Sequence, residues 1–131
     1  MGVSYLLDSN ALIWLGAHGR SPRAALVADL NSSDAIYVSA ASAFELATKH
    51  RIGKLPQVSD LLLHWPERIR SLGAAELAIT SAHAVTAGAL DWDHRDPFDR
   101  LLVAQARCEN LTLVSADRAV LAAPGVRLME W

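Results

Sequence analysis

Four acidic residues, far apart along the chain, each stand where a strand should end or a helix begin. Asp8 follows the apolar run Tyr5-Leu6-Leu7, and Glu45 lies in Ser42-Ala43-Phe44-Glu45. Asp99 lies in Asp96-Pro97-Phe98-Asp99-Arg100, and Asp117 closes Val114-Ser115-Ala116-Asp117. In a parallel α/β sheet such positions converge on one edge, where ligands bind. Two carboxylates about 4 Å apart repel by roughly 4 kcal/mol at an effective dielectric near 20. A cluster of them persists if protons are taken up or a cation neutralises it. All-oxygen donors select hard ions, Mg2+ or Mn2+, and an ion held so points to phosphate chemistry. With no His-Glu-x-x-His or similar spacing, zinc is disfavoured.

Most of these acids also have a local structural use. Ser42 to Glu45 fits a capping box, with Glu45 reaching back to a backbone N–H. Asp96 fits an N-cap, Pro97 the first helical position, and Asp99 the third, where the helix dipole favours it. Asp117 near a helix start gains about 0.3–1 kcal/mol from the same dipole. Asp8 resists this explanation, because an apolar strand leads straight into it. Asp96 stays ambiguous between helix cap and outer metal ligand, while Asp91 and Asp93 read as solvated loop charges. The basic residues near the acids are Lys49, Arg51, Lys54, Arg95, Arg100 and Arg118. Most read as solvated helix faces, but Arg95, Arg100 and Arg118 flank two of the acids and are candidate phosphate contacts. His18, His50 and His64 read as surface residues, His83 as packed at a helix start, and His94 as a candidate to touch substrate. No Gly-x-Ser-x-Gly elbow or Gly-rich phosphate loop occurs. Trp14, Trp65, Trp92 and Trp131 fit core or interface positions.

These side chains need a scaffold. A chain of 131 residues, 52% hydrophobic and 20% charged, is expected to form one packed domain rather than a disordered chain. A net charge of −2 gives no general attraction to polyanions, so any nucleic acid must be held by local Arg and Lys. The single cysteine, Cys108, excludes an internal disulfide, fits a reducing compartment, and is expected to be buried. Met1–Leu7 is too short for a secretory signal, and no run of 18 apolar residues occurs; a soluble, cytoplasmic protein with no membrane contact is expected. Strands are expected at 3–7, 35–38, 76–79, 111–114 and 126–129. Helices are expected at 9–17, closed by Gly16 or Gly19, and at 21–30, where Ser21-Pro22 forms the cap. Further helices are expected at 39–51, ending at Gly53, at 60–72, broken by Pro66, at 80–89 with Thr80 as cap, at 96–109, and at 115–121. Strands alternating with helices imply parallel pairing through right-handed crossovers, hence an α/β fold, a three-layer α/β/α sandwich around a parallel sheet. The first helix carries Leu12, Ile13 and Trp14, more apolar surface than one buried stripe needs, which suggests a homodimer or partner contact.

With these residues assembled, the chain resembles PIN-domain proteins of the VapC type, the toxin half of a bacterial toxin–antitoxin pair. The matching stretches are Tyr5-Leu6-Leu7-Asp8-Ser9, Glu45 in its helix, and Leu111–Val114 running into Ser115-Ala116-Asp117. The most specific is His94-Arg95-Asp96-Pro97-Phe98-Asp99-Arg100-Leu101-Leu102-Val103-Ala104-Gln105-Ala106. The resemblance implies a sheet with the first strand central and Mg2+- or Mn2+-dependent endoribonuclease activity that leaves a 5′-phosphate. Its acidic quartet falls on Asp8, Glu45, Asp99 and Asp117, with Asp96 as a frequent extra acid. Asp8, Asp99 and Asp117 would hold the metal, and Glu45 would complete its shell or orient a water. Ser115 matches a Ser/Thr that supports the last carboxylate, and it joins Arg95, Arg100 and Arg118 as an expected substrate-side residue. The resemblance further implies an RNA substrate, a homodimer, and a cognate antitoxin on a separate chain. Alternatives are a silent binding module on the same fold, a receiver domain, or a haloacid-dehalogenase-like phosphatase. The phosphatase is disfavoured because Asp8-Ser9-Asn10 lacks a second Asp, and the receiver because no lysine follows Leu111–Val114.

Overall fold

The computed structural model describes residues 2–18 and 34–131. Five parallel strands form the sheet: β1 (Ser4–Leu7), β2 (Ala35–Ser39), β3 (Ala75–Leu77), β4 (Thr112–Ser115) and β5 (Arg127–Glu130), in the spatial order β3-β2-β1-β4-β5. The first strand is central, as the resemblance implies. Its short apolar run explains why: flanked by neighbours and covered on both faces, β1 has no solvated side to keep polar. Leu7 lies level with Val38 on β2 and Val114 on β4, so the chain leaves all three strands at one edge.

Side chains alternate between two cores. Leu7, Val38 and Val114 face one side, where Leu12 of α1 (Ser9–His18), Leu46 of α2 (Ala40–Arg51) and Ile69 of α4 (Trp65–Ser71) pack on them. The short α3 (Ser59–Leu63) precedes α4. Leu6 and Leu113 face the other side, against Leu102, Val103 and Ala106 of α6 (Pro97–Cys108) and Val120 of α7 (Arg118–Leu121), with α5 (Ser81–Ala89) packed on α6. The result is the expected three-layer α/β/α sandwich. Trp131 joins the first core with Trp14 and Trp65 packed against it, and Trp92 packs against the second. No helix among the described residues is long and apolar enough to cross a membrane.

Several boundaries differ from expectation for local reasons. The third strand runs Ala75–Leu77, earlier than 76–79, because Gly73 at φ 71° turns the chain out of α4 directly into it. Thr80 then caps α5 as expected, in a reciprocal box with the buried His83. Ser115 belongs to β4, paired with Glu130, so the following helix starts only at Arg118. Gly16 does not close α1, which runs to His18, and the break before Pro66 falls at His64. Cys108 is exposed rather than buried: it ends α6 beyond the inward-facing Gln105 and Ala106, its Sγ 3.5 Å from the Thr86 hydroxyl. The helix expected from Ser21 to Leu30, and the side chain of His18, lie outside the described residues.

One buried polar contact ties α6 to the carboxyl end of β2. The Ser39 hydroxyl donates to Gln105 Oε1 at 2.5 Å, and Gln105 Nε2 donates to the Ala78 carbonyl at 3.3 Å. Both side chains are fully buried, so removing Gln105 leaves the Ser39 hydroxyl hydrogen without its acceptor, although its oxygen still accepts the Ala41 N–H at 2.9 Å. Gln105→Leu is therefore expected to destabilise the fold by about 1–3 kcal/mol. Urea unfolding checks this, and a midpoint equal to wild type would contradict it.

Candidate functional site

At the carboxyl edge of the sheet, Asp8, Glu45, Asp96, Asp99 and Asp117 line one cleft together with Ser9, Asn10, Lys49 and Leu102. Carboxylates read from four separate stretches of sequence therefore meet, and each is placed by a different local device.

Asp8 is the hinge between β1 and α1. Its N–H donates to the Val114 carbonyl at 3.1 Å, which continues the strand, while its Oδ1 accepts the Ala11 N–H at 2.8 Å. Asp8 thus caps α1 as well, a structural use that its apolar approach had hidden. Glu45 is no capping-box residue, because α2 starts at Ala40 with Ser39 as N-cap. Instead its Oε1 accepts the Ser9 hydroxyl at 2.6 Å, and its Oε2 pairs with Lys49 Nζ at 3.0 Å, one helical turn on. Asp96 caps α6, accepting the N–H groups of Phe98 and Asp99 at 2.9 and 3.1 Å. That frees Asp99 to meet His94, whose Nε2 lies 2.7 Å from Asp99 Oδ2. Asp117 caps α7 through Ala119 N–H at 2.8 Å, and its own N–H donates to the Ser115 hydroxyl at 3.1 Å.

The electrostatics follow from this crowding. Burial pushes the Asp8 carboxyl up to about 6, and the charges of Asp99 and Glu45 push the same way. The Ala11 amide and the Ser115 hydroxyl oppose the shift without cancelling it. Asp99 is also raised, first by burial and then by the neighbouring charges of Asp96 and Glu45, against the stabilising contact of His94. Ligand atoms of His94, Asp96 and Asp99 lie within 4.8 Å of one another. A cleft in which burial, and secondarily neighbouring charge, raises Asp8 and Asp99 suits a hard dication, and the carboxylate donors fit Mg2+ or Mn2+.

The expected substrate-side residues fare differently. Arg100 is a structural clamp: Nε donates to the Ala87 carbonyl, Nη2 to Leu90, and Nη1 to Trp92 and His94, all within 3.0 Å. With its fork spent on four carbonyls, it holds the 87–94 loop rather than facing the cleft as a phosphate contact. Ser115 is fully buried and bonded to Asp117 N–H and Asp8, so it positions carboxylates and does not reach a substrate. Arg95 and Arg118 are exposed and lie outside the set of described residues lining the cleft. Sequence reasoning gave no site role to Ser9 or Asn10 and read Lys49 as a solvated charge. The signals were there: Ser9 and Asn10 adjoin Asp8, and Lys49 stands four residues after Glu45.

The raised Asp8 sets a pH dependence. A folded-state value near 6 against an ordinary 3.8 means the fold holds this proton more tightly than the unfolded chain does. No penalty applies below about pH 4; stability is lost as pH rises through 6, by up to about 3 kcal/mol. In chelator-treated protein, Asp8→Asn is expected to raise the midpoint of thermal unfolding at pH 7.5 and to flatten its fall between pH 5 and 7. Calorimetry at both pH values checks this; a midpoint lowered by the substitution would contradict it.

The family model described as PIN domain matches residues 5–125. Ribonuclease VapC16 of Mycobacterium tuberculosis (strain ATCC 25618 / H37Rv) is 38% identical over 69 residues, which is 53% of this chain and 48% of that protein. The match thus spans about half the length of that relative. The crystal structure of VapBC2 from Rickettsia felis, bound to a promoter DNA fragment, superposes with a TM-score of 0.72 at 17% identity, over 98% of this chain and 99% of its own. A toxin-antitoxin complex from Klebsiella pneumoniae gives 0.62 at 19% identity, over 95% of each chain. At such identities these two structures show a common fold. With nearly its whole length matched by the family model, the chain belongs to the PIN domain family.

Proposed function

We propose that this protein is a divalent-metal-dependent endoribonuclease, the toxin component of a toxin–antitoxin pair, acting on RNA in the cytoplasm. The observation that carries the reading is the cleft itself: Asp8, Glu45, Asp99 and Asp117 converge there, and Asp8 is raised to about 6 partly by its acidic neighbours. The similarity to Ribonuclease VapC16 supports the activity. The likeness in fold to VapBC2 and to the Klebsiella complex is compatible with an antitoxin on a separate chain.

Asp8, Asp99 and Asp117 would hold Mg2+ or Mn2+, with Glu45 and Asp96 completing the shell. When bound, such an ion supplies an activated water and draws charge from the phosphoryl oxygens of the scissile diester. The chain's own residues provide the rest. Ser9 fixes one oxygen of Glu45, leaving the other shared with Lys49 and able to orient a water. Lys49 is 42% exposed at the cleft and is the best-placed cation to meet a phosphate oxygen, with Arg95 and Arg118 further out along the strand. His94 orients Asp99. The products would be a free 3′-hydroxyl and a 5′-phosphate. A homodimer completes the proposal, but not through Leu12, Ile13 and Trp14 of α1 as the sequence suggests, because these side chains pack into the first core.

Asp8→Asn is expected to cut RNA cleavage by at least about a thousandfold while the protein remains folded. Gel analysis of labelled RNA with Mg2+ measures this, and wild-type cleavage by the variant would sink the assignment. Chelation should abolish cleavage, and Mg2+ or Mn2+ should restore it; activity undiminished in excess chelator would rule out the metal. Sedimentation at micromolar concentration should show a dimer, and a monomer would remove that part of the proposal.

A further inference from the structure

We infer that Phe44 and Phe98 form a stacking platform for one unpaired nucleobase of the RNA strand whose backbone occupies the acidic cleft. The inference rests on the ribonuclease reading and deepens it by assigning a base subsite.

Phe44 precedes Glu45 on α2, and Phe98 precedes Asp99 on α6. Their ring centroids lie 5.6 Å apart with planes tilted by 50°. Those two helices also line the cleft, through Glu45 and Lys49 on one and Asp99 and Leu102 on the other. Leu102 stands one helical turn after Phe98, so the aromatic contact borders the acidic cleft on the α6 side. Phe98 is half-buried and braces its partner, whereas Phe44 leaves 66% of its surface in water. Leu63 and Val85 are more exposed still, but they are aliphatic and sit on α3 and α5, which contribute no residue to the cleft.

The chemistry around the pair selects its occupant. Proteins that hold single-stranded nucleic acid combine a cation that meets the backbone with an aromatic face that receives a base. Lys49 supplies the cation inside the cleft, and the exposed Phe44 ring, one residue before the cleft residue Glu45, supplies the face at its border. A strand whose backbone occupies the cleft would present a base to the Phe44 ring at the border. Stacking on a phenyl ring needs no hydrogen bond from the base, so the subsite would require an unpaired nucleotide without dictating which one.

The test uses the full chain carrying Asp8→Asn, which is expected to hold RNA without cutting it. Affinity for a labelled single-stranded RNA oligonucleotide is read by fluorescence anisotropy with Mg2+ present. Adding Phe44→Leu, which keeps apolar bulk but removes the ring, should weaken binding roughly 5- to 100-fold, while Phe44→Trp should preserve or tighten it. An abasic ribonucleotide scanned through the oligonucleotide should, at one position, weaken binding to the parent by a similar factor and cause no further loss with Phe44→Leu. Equal affinity of the Leu variant and its parent overturns the inference and leaves the ribonuclease reading standing. A parent that does not bind RNA overturns the inference, and wild-type protein that does not cleave RNA with Mg2+ overturns the ribonuclease reading beneath it. If Phe44→Leu dissociates a dimer while RNA affinity is unchanged, the pair is a contact between copies of this chain and the inference fails.

Discussion

The structure is organised around the cost of gathering negative charge in a partly dry place. Asp8 is buried at the end of the central strand, within the field of Asp99 and Glu45, and its carboxyl is held near 6 as a result. A fold has little reason to sustain such a site for its own stability, because desolvation and like-charge repulsion both act against the ionised form. What makes it tolerable locally is hydrogen bonding. Each acid takes up an amide, hydroxyl, ammonium or imidazole: Ala11 at Asp8, Ser9 and Lys49 at Glu45, His94 at Asp99, and the first turns of α6 and α7 at Asp96 and Asp117. The remaining deficit is what a dication would meet.

Capping and chemistry are not rival explanations for these residues. Asp8, Asp96 and Asp117 each accept backbone N–H groups at a helix start, so the helix termini deliver the carboxylates to the edge of the sheet. A cap uses one oxygen well and leaves the other available. The same residue can therefore fix the entry of a helix and offer a ligand atom, which explains why acids that look individually ordinary converge. Glu45 is the exception: it lies well inside α2 and owes its position to Ser9 from α1 and Lys49 from its own helix.

Much of this was legible in the sequence. The apolar run before Asp8 gave a strand that the family resemblance made central, the alternation of elements gave the sandwich, and Asp96-Pro97 gave the start of α6 to the residue. What could not be read was orientation. Arg100 looked like a phosphate ligand beside Asp99, yet one more step along α6 turns it toward the carbonyls of residues 87–94. Ser115 looked accessible beside Asp117, but it is still on the buried strand. Cys108 stands near Ala104, Ala106 and Leu111 in sequence and nonetheless faces outward at the helix end. Linear proximity to an acid fixes neither the face of a helix nor the depth of a strand end; three-dimensional neighbours such as Ser9 and Glu45, 36 residues apart, decide both.

The bond between Ser39 and Gln105 has a further meaning for how the site is made ready. It fastens α6, which carries Asp99, to the end of β2 that caps the helix carrying Glu45, through the protein's own interior. The walls of the recess are thus held in part by a contact that lies outside it. In this the scaffold differs from a zinc finger, whose folding waits on its metal.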